Sequence, residues 1–197
     1  MSRAPLLVRG CGMATAVGLT APASCAAIRA RLDGFRETRF MARGGAWIVG
    51  AEVPLEEPWR GLPRLARLVA GPLRECLDCA PETAPGEIPL LLGVAEPARP
   101  GRLAGLDQEL LPLAQEVLGE RFHPEASRLI PMGRVSGAVG IREAAKLVNE
   151  KRFRRVIVAG VDSLLVAATL ASFEERDRLL TERNSNGFIP GEAGAAV

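Results

Sequence analysis

The sequence predicts an α/β protein with a mixed, mostly parallel sheet and helices on both faces. Three observations carry that expectation. Short apolar runs alternate with longer amphipathic stretches along most of the chain, the order expected of strands that alternate with covering helices. One run, Ile88-Pro89-Leu90-Leu91-Leu92-Gly93-Val94-Ala95, carries no polar side chain, as a strand covered on both faces demands. The stretch from Leu62 to Cys79 places Leu65, Leu68, Val69, Leu73 and Leu77 on a single stripe at helical spacing.

The elements follow in order. Leu6-Leu7-Val8-Arg9-Gly10 reads as a strand, with Gly10-Cys11-Gly12 as the turn that leaves it. Ala21 to Leu32 reads as a helix opened by Thr20 and Pro22 and ended near Gly34. A second strand is expected at Ala46 to Val53, then the long helix from Leu62 to Cys79 and the strand Ile88 to Ala95. The stretch from Ala95 to Gly105, rich in Pro, Gly and Arg, reads as a surface loop. A helix is expected from Leu103 to Leu118, a short strand from Ala126 to Ile130, and a helix from Ser136 to Asn149. Arg155-Val156-Ile157-Val158-Ala159-Gly160-Val161 is the most strand-like segment, and Gly194 to Val197 begins a further strand. With no internal repeat and no low-complexity tract, residues 1–197 read as one domain.

Composition narrows the classes of function. The 197 residues are 48% hydrophobic and 24% charged, which suits an ordinary globular core. A formal net charge of +2 argues against nucleic acid or a membrane surface as partner. The basic side chains are nearly all arginine, scattered along the chain, with Lys146 and Lys151 the only lysines. The apolar run within Met1 to Gly12 is too short for a secretion signal or a membrane span. Cys11, Cys25, Cys76 and Cys79 show no disulfide framework, so a reducing cytoplasm is the expected compartment. Cys76-Leu77-Asp78-Cys79 has Cys-x-x-Cys spacing but no second ligand pair, so zinc is not expected. Paired carboxylates and a phosphate-binding glycine loop followed by lysine are both missing from the sequence, and no cofactor is expected.

Three segments, taken in order and spacing, carry a family resemblance. The first is Leu7-Val8-Arg9-Gly10-Cys11-Gly12-Met13-Ala14-Thr15-Ala16-Val17-Gly18. The second is Ser136-Gly137-Ala138-Val139-Gly140-Ile141-Arg142-Glu143-Ala144-Ala145-Lys146-Leu147, followed by Val156-Ile157-Val158-Ala159-Gly160-Val161-Asp162-Ser163. The third is Asn186-Gly187-Phe188-Ile189-Pro190-Gly191-Glu192-Ala193-Gly194. Together they resemble the N-terminal half of a β-ketoacyl-acyl-carrier-protein synthase, a member of the thiolase-like superfamily. The resemblance implies that Gly137 and Gly140 are packing notches, on a helix that runs between two sheets. It also implies that Glu192 belongs to a structural turn.

Such a synthase needs a thiolate nucleophile in a tight turn at a helix N-terminus, where amides and dipole favour the anion. Aligned through Ser136-Gly137, the nucleophile position falls on Arg134, within Pro131-Met132-Gly133-Arg134-Val135. A guanidinium offers no nucleophile. At a helix N-terminus it also opposes the macrodipole, by roughly 0.3–1 kcal/mol at an exposed site. Two placements are open: an anion held beside Arg134, or a side chain directed out of the pocket. Ser136 and Cys11 are the substitute nucleophiles. Ser136 needs a general base, and the single histidine, His123, sits in a loop-like stretch well before the helix. Cys11 is expected near the same sheet edge, either as a nucleophile or as a small buried filler. Asp162-Ser163 closes the strongest strand, as an active-site edge or as a strand-end turn.

The resemblance further implies a longer protein of two similar halves, with the family's catalytic histidines in the second. The chain then reads as part of such a protein, with an apolar face turned to the second half, to a synthase subunit or to a homodimer partner. The leading expectation is a ketosynthase-like protein of fatty-acid or polyketide metabolism that does not condense by itself. It would act as a non-catalytic partner, or bind an acyl chain or an acyl carrier protein. An acyltransferase with a relocated nucleophile and a plain α/β interaction module are the alternatives.

Overall fold

The computed structural model describes residues 5–150 and 152–197. Lys151 and the start of the Met1 to Gly12 run therefore lie outside the described residues. The main sheet has five strands in the order β1-β7-β6-β4-β5: β1 (Gly12–Ala14), β7 (Glu192–Ala196), β6 (Ile157–Ser163), β4 (Leu90–Gly93) and β5 (Arg128–Ile130). β6, β4 and β5 pair in parallel, while β7 is antiparallel to both β6 and β1. β1, β6, β4 and β5 therefore share one direction, and β7 alone is reversed. This is the mixed, mostly parallel sheet expected of the fold class.

Strand alternation distributes the core to the two faces. Leu90, Leu92, Ile157, Ala159, Val161 and Ala196 pack with α2 (Gly61–Asp78) and α3 (Leu106–Leu118). Leu91, Ile130 and Val158 point the other way, onto Ala144 and Leu147 of α4 (Ser136–Asn149). The α2 stripe is real: Leu65, Leu68, Val69, Leu73 and Leu77 are all buried. α1 (Ala21–Arg29) packs beside β1, and the Thr20 hydroxyl caps it by accepting from the Ala23 amide at 3.3 Å. No helix of the described residues is long and apolar enough to cross a membrane.

Two close approaches set the layer spacing. On one face α2 lies directly on the backbones of β1 and β7. A Cβ added at Gly194 would come within 2.0 Å of the Leu68 carbonyl oxygen, and one at Gly12 within 2.2 Å of that of Pro72. Pro72, inside α2, lacks the N–H that would bond the Leu68 carbonyl, so that carbonyl is left to face the sheet. On the other face Gly140 sits 2.6 Å, as an added Cβ, from Val158, which makes it the packing notch of α4. Gly137 is exposed with nothing near it, so the notch is Gly140 alone.

Several boundaries differ from the sequence reading. Leu6 to Gly10 does not form the first strand; the ladder begins at Gly12, and residues 5–10 make no backbone hydrogen bond among the described residues. β2 (Phe35–Met41) and α5 (Ala167–Glu175) were not foreseen. β2 pairs antiparallel with β3 (Trp47–Ala51) as a separate two-stranded sheet, and its side chains Phe35-Arg36-Glu37-Thr38-Arg39-Phe40-Met41 are mostly exposed. A ribbon that buries little leaves little hydrophobic pattern to read. The ribbon and α5 share a small core of Ala42, Ile48, Leu170 and Leu179.

Candidate functional site

Parallel pairing gathers the C-terminal ends of β4, β5 and β6 at one edge of the sheet. Three loops leave that edge: Val94 onward from β4, Pro131 onward from β5, and Leu164 onward from β6. The β5 loop enters α4 through a 3-10 turn, Gly133–Val135, with Gly133 in the left-handed region at φ 53°. The Gly133 amide donates to the Val94 carbonyl at 3.0 Å, tying the β5 loop to the β4 loop.

Ser136 locks the same junction from inside. Its buried hydroxyl donates to the Ile130 carbonyl at 2.8 Å, and its oxygen accepts from the Met132 amide at 3.2 Å. An added Cβ at Gly93 would reach the Ser136 Cβ at 2.6 Å, so α4 is seated at the very end of β4. A hydroxyl so enclosed and bonded positions the turn and is not presented for attack.

Around that turn stands a charge cluster that the sequence reading missed. Arg99, on the Ala95–Gly105 loop, is largely buried and bridges Glu96 and Asp162. Its Nη2 donates to Glu96 Oε2 at 2.7 Å, and its Nη1 bonds Asp162. Burial works against the Arg99 charge, yet the bonds to Glu96 and Asp162 outweigh it and hold its pKa above the ordinary value. The hydrogen bond from Arg99 lowers the Glu96 pKa, and the fields of Arg99 and Arg134 act in the same sense. The loop expected at the surface thus carries one arginine inward. Its signal in the sequence is a Glu-x-x-Arg placed directly after the most apolar strand.

Arg134 itself is exposed on the 3-10 turn and makes no ion pair with another described residue. Its charge is one of the fields that hold the Glu96 pKa down. A Cβ at Gly133 would meet Glu96 Oε2 at 2.2 Å, which places that carboxylate hard against the turn. Asp162 and Ser163 do lie at this edge, but both are engaged. Asp162 Oδ1 accepts from the Ser163 amide at 2.8 Å, and the Ser163 hydroxyl donates to Glu192 Oε2 at 2.9 Å.

Cys11 and His123 are not brought to this edge. Cys11 precedes β1 at one margin of the sheet, whereas Arg134 follows β5 at the other margin. Four strand spacings separate those margins, about 19 Å. The β1–β7–β6 register also puts Cys11 level with the beginning of β6, away from its C-terminal end. His123 lies at the N-terminal edge. Its amide donates to the Ile88 carbonyl at 3.0 Å, its Nδ1 accepts from the Ala126 amide at 3.2 Å, and its ring meets Phe153 edge-on at 4.9 Å.

Cys76 and Cys79 sit at the C-terminal end of α2, where the chain around Gly10 and Gly12 crosses it. Burial pushes the Cys76 thiol up to about 12, aided by the neighbouring Cys79, Cys11 and Glu75. Cys11 and Cys79 are exposed. At pH 8 an alkylating reagent is therefore expected to modify exposed Cys11 and Cys79 first. Cys76 should react at least about a thousand-fold more slowly than an ordinary thiol, because so little of it is thiolate. Peptide mapping over a time course checks this, and early labelling of Cys76 would show that the α2 end opens.

No family model matches the chain, and no curated protein matches it. Solved structures do. An ishigamide ketosynthase/chain length factor superposes with a TM-score of 0.65 at 16% identity, covering 96% of this chain and 60% of that one. A type II polyketide acyl-carrier protein in complex with its ketosynthase, bound to the hexaketide, matches with a TM-score of 0.64 at 13% identity, covering 96% and 56%. The ketosynthase from module 6 of the bacillaene synthase of Bacillus subtilis 168 matches with a TM-score of 0.66 at 14% identity, covering 95% and 38%. The chain spans 60% or less of each of these solved chains. At such identities the likeness is one of architecture: this chain has the fold of part of a ketosynthase.

Proposed function

We propose that this chain is the first half of a longer, two-half ketosynthase-like protein of fatty-acid or polyketide metabolism that does not condense by itself. In this reading it is the non-catalytic partner of an active synthase, or it holds an acyl chain or an acyl carrier protein. One observation carries the reading. At the helix N-terminus where the resemblance calls for a thiolate stands Arg134, backed by the Glu96–Arg99–Asp162 cluster, with Ser136 tied off below it. All four cysteines lie elsewhere: Cys11 and the α2 pair are remote, and Cys25 is on α1 beside β1. A guanidinium neither accepts an acyl group nor leaves with one. The partner role is supported by the neighbouring folds, which include a ketosynthase/chain length factor and a ketosynthase in complex with an acyl carrier protein.

The test is acylation followed by intact mass. The unaltered protein, given an acyl thioester, is expected to stay unmodified. The Arg134→Cys variant, in the full-length protein, is expected to gain one acyl group, because the α4 N-terminus lowers the pKa of a thiol placed there. An acyl adduct on the unaltered protein would overturn the non-catalytic reading. A folded Arg134→Cys variant that never acylates would overturn the alignment.

A further inference from the structure

At the N-terminal edge of the main sheet, away from the Arg134 turn, a cavity of about 560 Å³ opens between three loops. Thr83 and Glu87 come from the α2–β4 loop, His123 from the α3–β5 loop, and Arg152 to Arg155 from the α4–β6 loop. β6, from Ile157 to Ser163, puts about 20 Å between this edge and the Asp162 end. Arg152, Arg154 and Arg155 are the densest group of arginines in an otherwise scattered set.

The imidazole of His123 is fixed in place and in tautomer. Its Nδ1 accepts from the Ala126 amide, its carbonyl accepts from the Ser127 amide at 3.0 Å, and Phe153 meets the ring edge-on. With the Nδ1 lone pair taken, the neutral ring carries its proton on Nε2. That Nε2–H has no partner among the described residues, and none of their side-chain polar atoms is both buried and unpaired, so it opens to solvent. The arginines divide. Arg155 is anchored by Glu82 and the Thr83 hydroxyl. Arg152 and Arg154 are exposed and make no ion pair with another described residue, and Arg152 Cζ stands 6.0 Å from the Phe153 ring centroid. Of the two lining carboxylates, Glu82 is engaged by Arg155, and Glu87 makes no ion pair with a described residue.

We propose that this cavity binds a small organic phosphate monoester, its phosphoryl group held by Arg152, Arg154 and His123 Nε2–H and its organic part beside Phe153. The inference goes beyond the proposed function and does not rest on it. Three separate side chains offer donors with no acceptor of their own, and two of them are cationic. A phosphoryl group supplies three terminal oxygens for three such donors, whereas a carboxylate supplies two. Three guanidiniums against two carboxylates leave the lining net positive, as a dianion requires. A volume of about 560 Å³ is that of a site for an organic ligand, larger than a bare phosphate fills, and the Phe153 ring gives the organic part an apolar wall.

The experiment is calorimetric titration of the full-length protein with phenyl phosphate, inorganic phosphate and benzoate at one ionic strength. Phenyl phosphate is expected to bind one site with a Kd below about 1 mM, and the other two at least about tenfold more weakly. The double variant Arg152→Gln with Arg154→Gln is expected to weaken phenyl phosphate at least about tenfold. His123→Asn, which keeps an acceptor for the Ala126 amide but has no donor at the Nε2 place, is expected to do the same. Glu87→Gln is expected to tighten binding about two- to fivefold, a gain that misfolding cannot produce. Unchanged melting of the unliganded arginine variant shows that its fold is intact. Phenyl phosphate affinity unaffected by the arginine pair would overturn the proposal, and so would a failure to bind at all. Benzoate binding as tightly would overturn the assignment of a phosphoryl group, and inorganic phosphate binding as tightly would mark a site for the free anion. Acylation at Arg134→Cys is a separate readout, so failure here leaves the functional reading to its own test.

Discussion

Replacement of Glu192 by alanine is expected to destabilise the protein by about 3–5 kcal/mol, the range for stranding one member of a buried ion pair. Glu192 opens β7, and its side chain is 1% exposed; that of its partner Arg64, on α2, is 7% exposed. Arg64 Nε donates to the two carboxylate oxygens at 2.9 and 3.0 Å, and Nη2 reaches Glu192 as well as the Val53 carbonyl at 2.7 Å. The same carboxylate accepts from the Val53 amide at 3.0 Å and from the Ser163 hydroxyl at 2.9 Å. One side chain thus joins the end of β6, the start of β7, the exit of β3 and the flank of α2. Burial alone would lower the Arg64 pKa, and the Glu192 bonds and charge reverse that to a raised value. Urea unfolding of Glu192→Ala measures the loss. The double variant Arg64→Met with Glu192→Leu is expected to recover much of it, since apolar side chains of similar volume replace such pairs at little cost. A loss below about 1 kcal/mol would mean that water reaches the pair, as at an exposed salt bridge.

The second large effect is expected at Gly194. Gly194→Ala puts a methyl group 2.0 Å from the Leu68 oxygen and 2.6 Å from its carbonyl carbon. Those atoms are backbone of a long buried helix, so no rotamer change relieves the clash. The cost is expected at about 3 kcal/mol, the upper end for overpacking, because α2 must lift from β7 and β1 together. Gly137→Ala, on exposed α4 surface, is the matched control and should be neutral or slightly stabilising, since alanine favours helix over glycine by about 1 kcal/mol. Thermal unfolding of the two variants side by side checks the contrast. A mild Gly194→Ala would show that α2 is not seated on the sheet backbone.

Local pattern was enough wherever one residue type repeats at one period. The Ser136 to Asn149 helix appears with the expected bounds. The α2 stripe is buried as read, and the all-apolar run at Ile88 to Ala95 supplies the interior strand β4, covered on both faces. Elements that bury little were illegible: β2 is mostly exposed, and the α5 segment Ala-Ala-Thr-Leu-Ala-Ser-Phe-Glu-Glu buries only Thr169 and Leu170. The site divides in the same way. Ser136, Asp162 and Glu192 were picked out from the sequence because motifs surround them. Glu96, Arg99 and Arg64 were not: Arg99 and Arg64 have partners 63 and 128 positions away, in Asp162 and Glu192, and Glu96 pairs with Arg99 within a loop that has no periodic pattern.

By itself, then, the sequence determined the fold class, the main helices, the central strands and the absence of a cysteine from the turn before Ser136. Each of these depends on side-chain type at short range, through burial periodicity and capping. Only the tertiary structure decided which sheet edge each residue reaches. Strand order and direction carry Cys11 and Arg134 to opposite margins and bring Arg99 under the turn at Gly133. Those outcomes follow from pairings between distant segments, whose register no local pattern records.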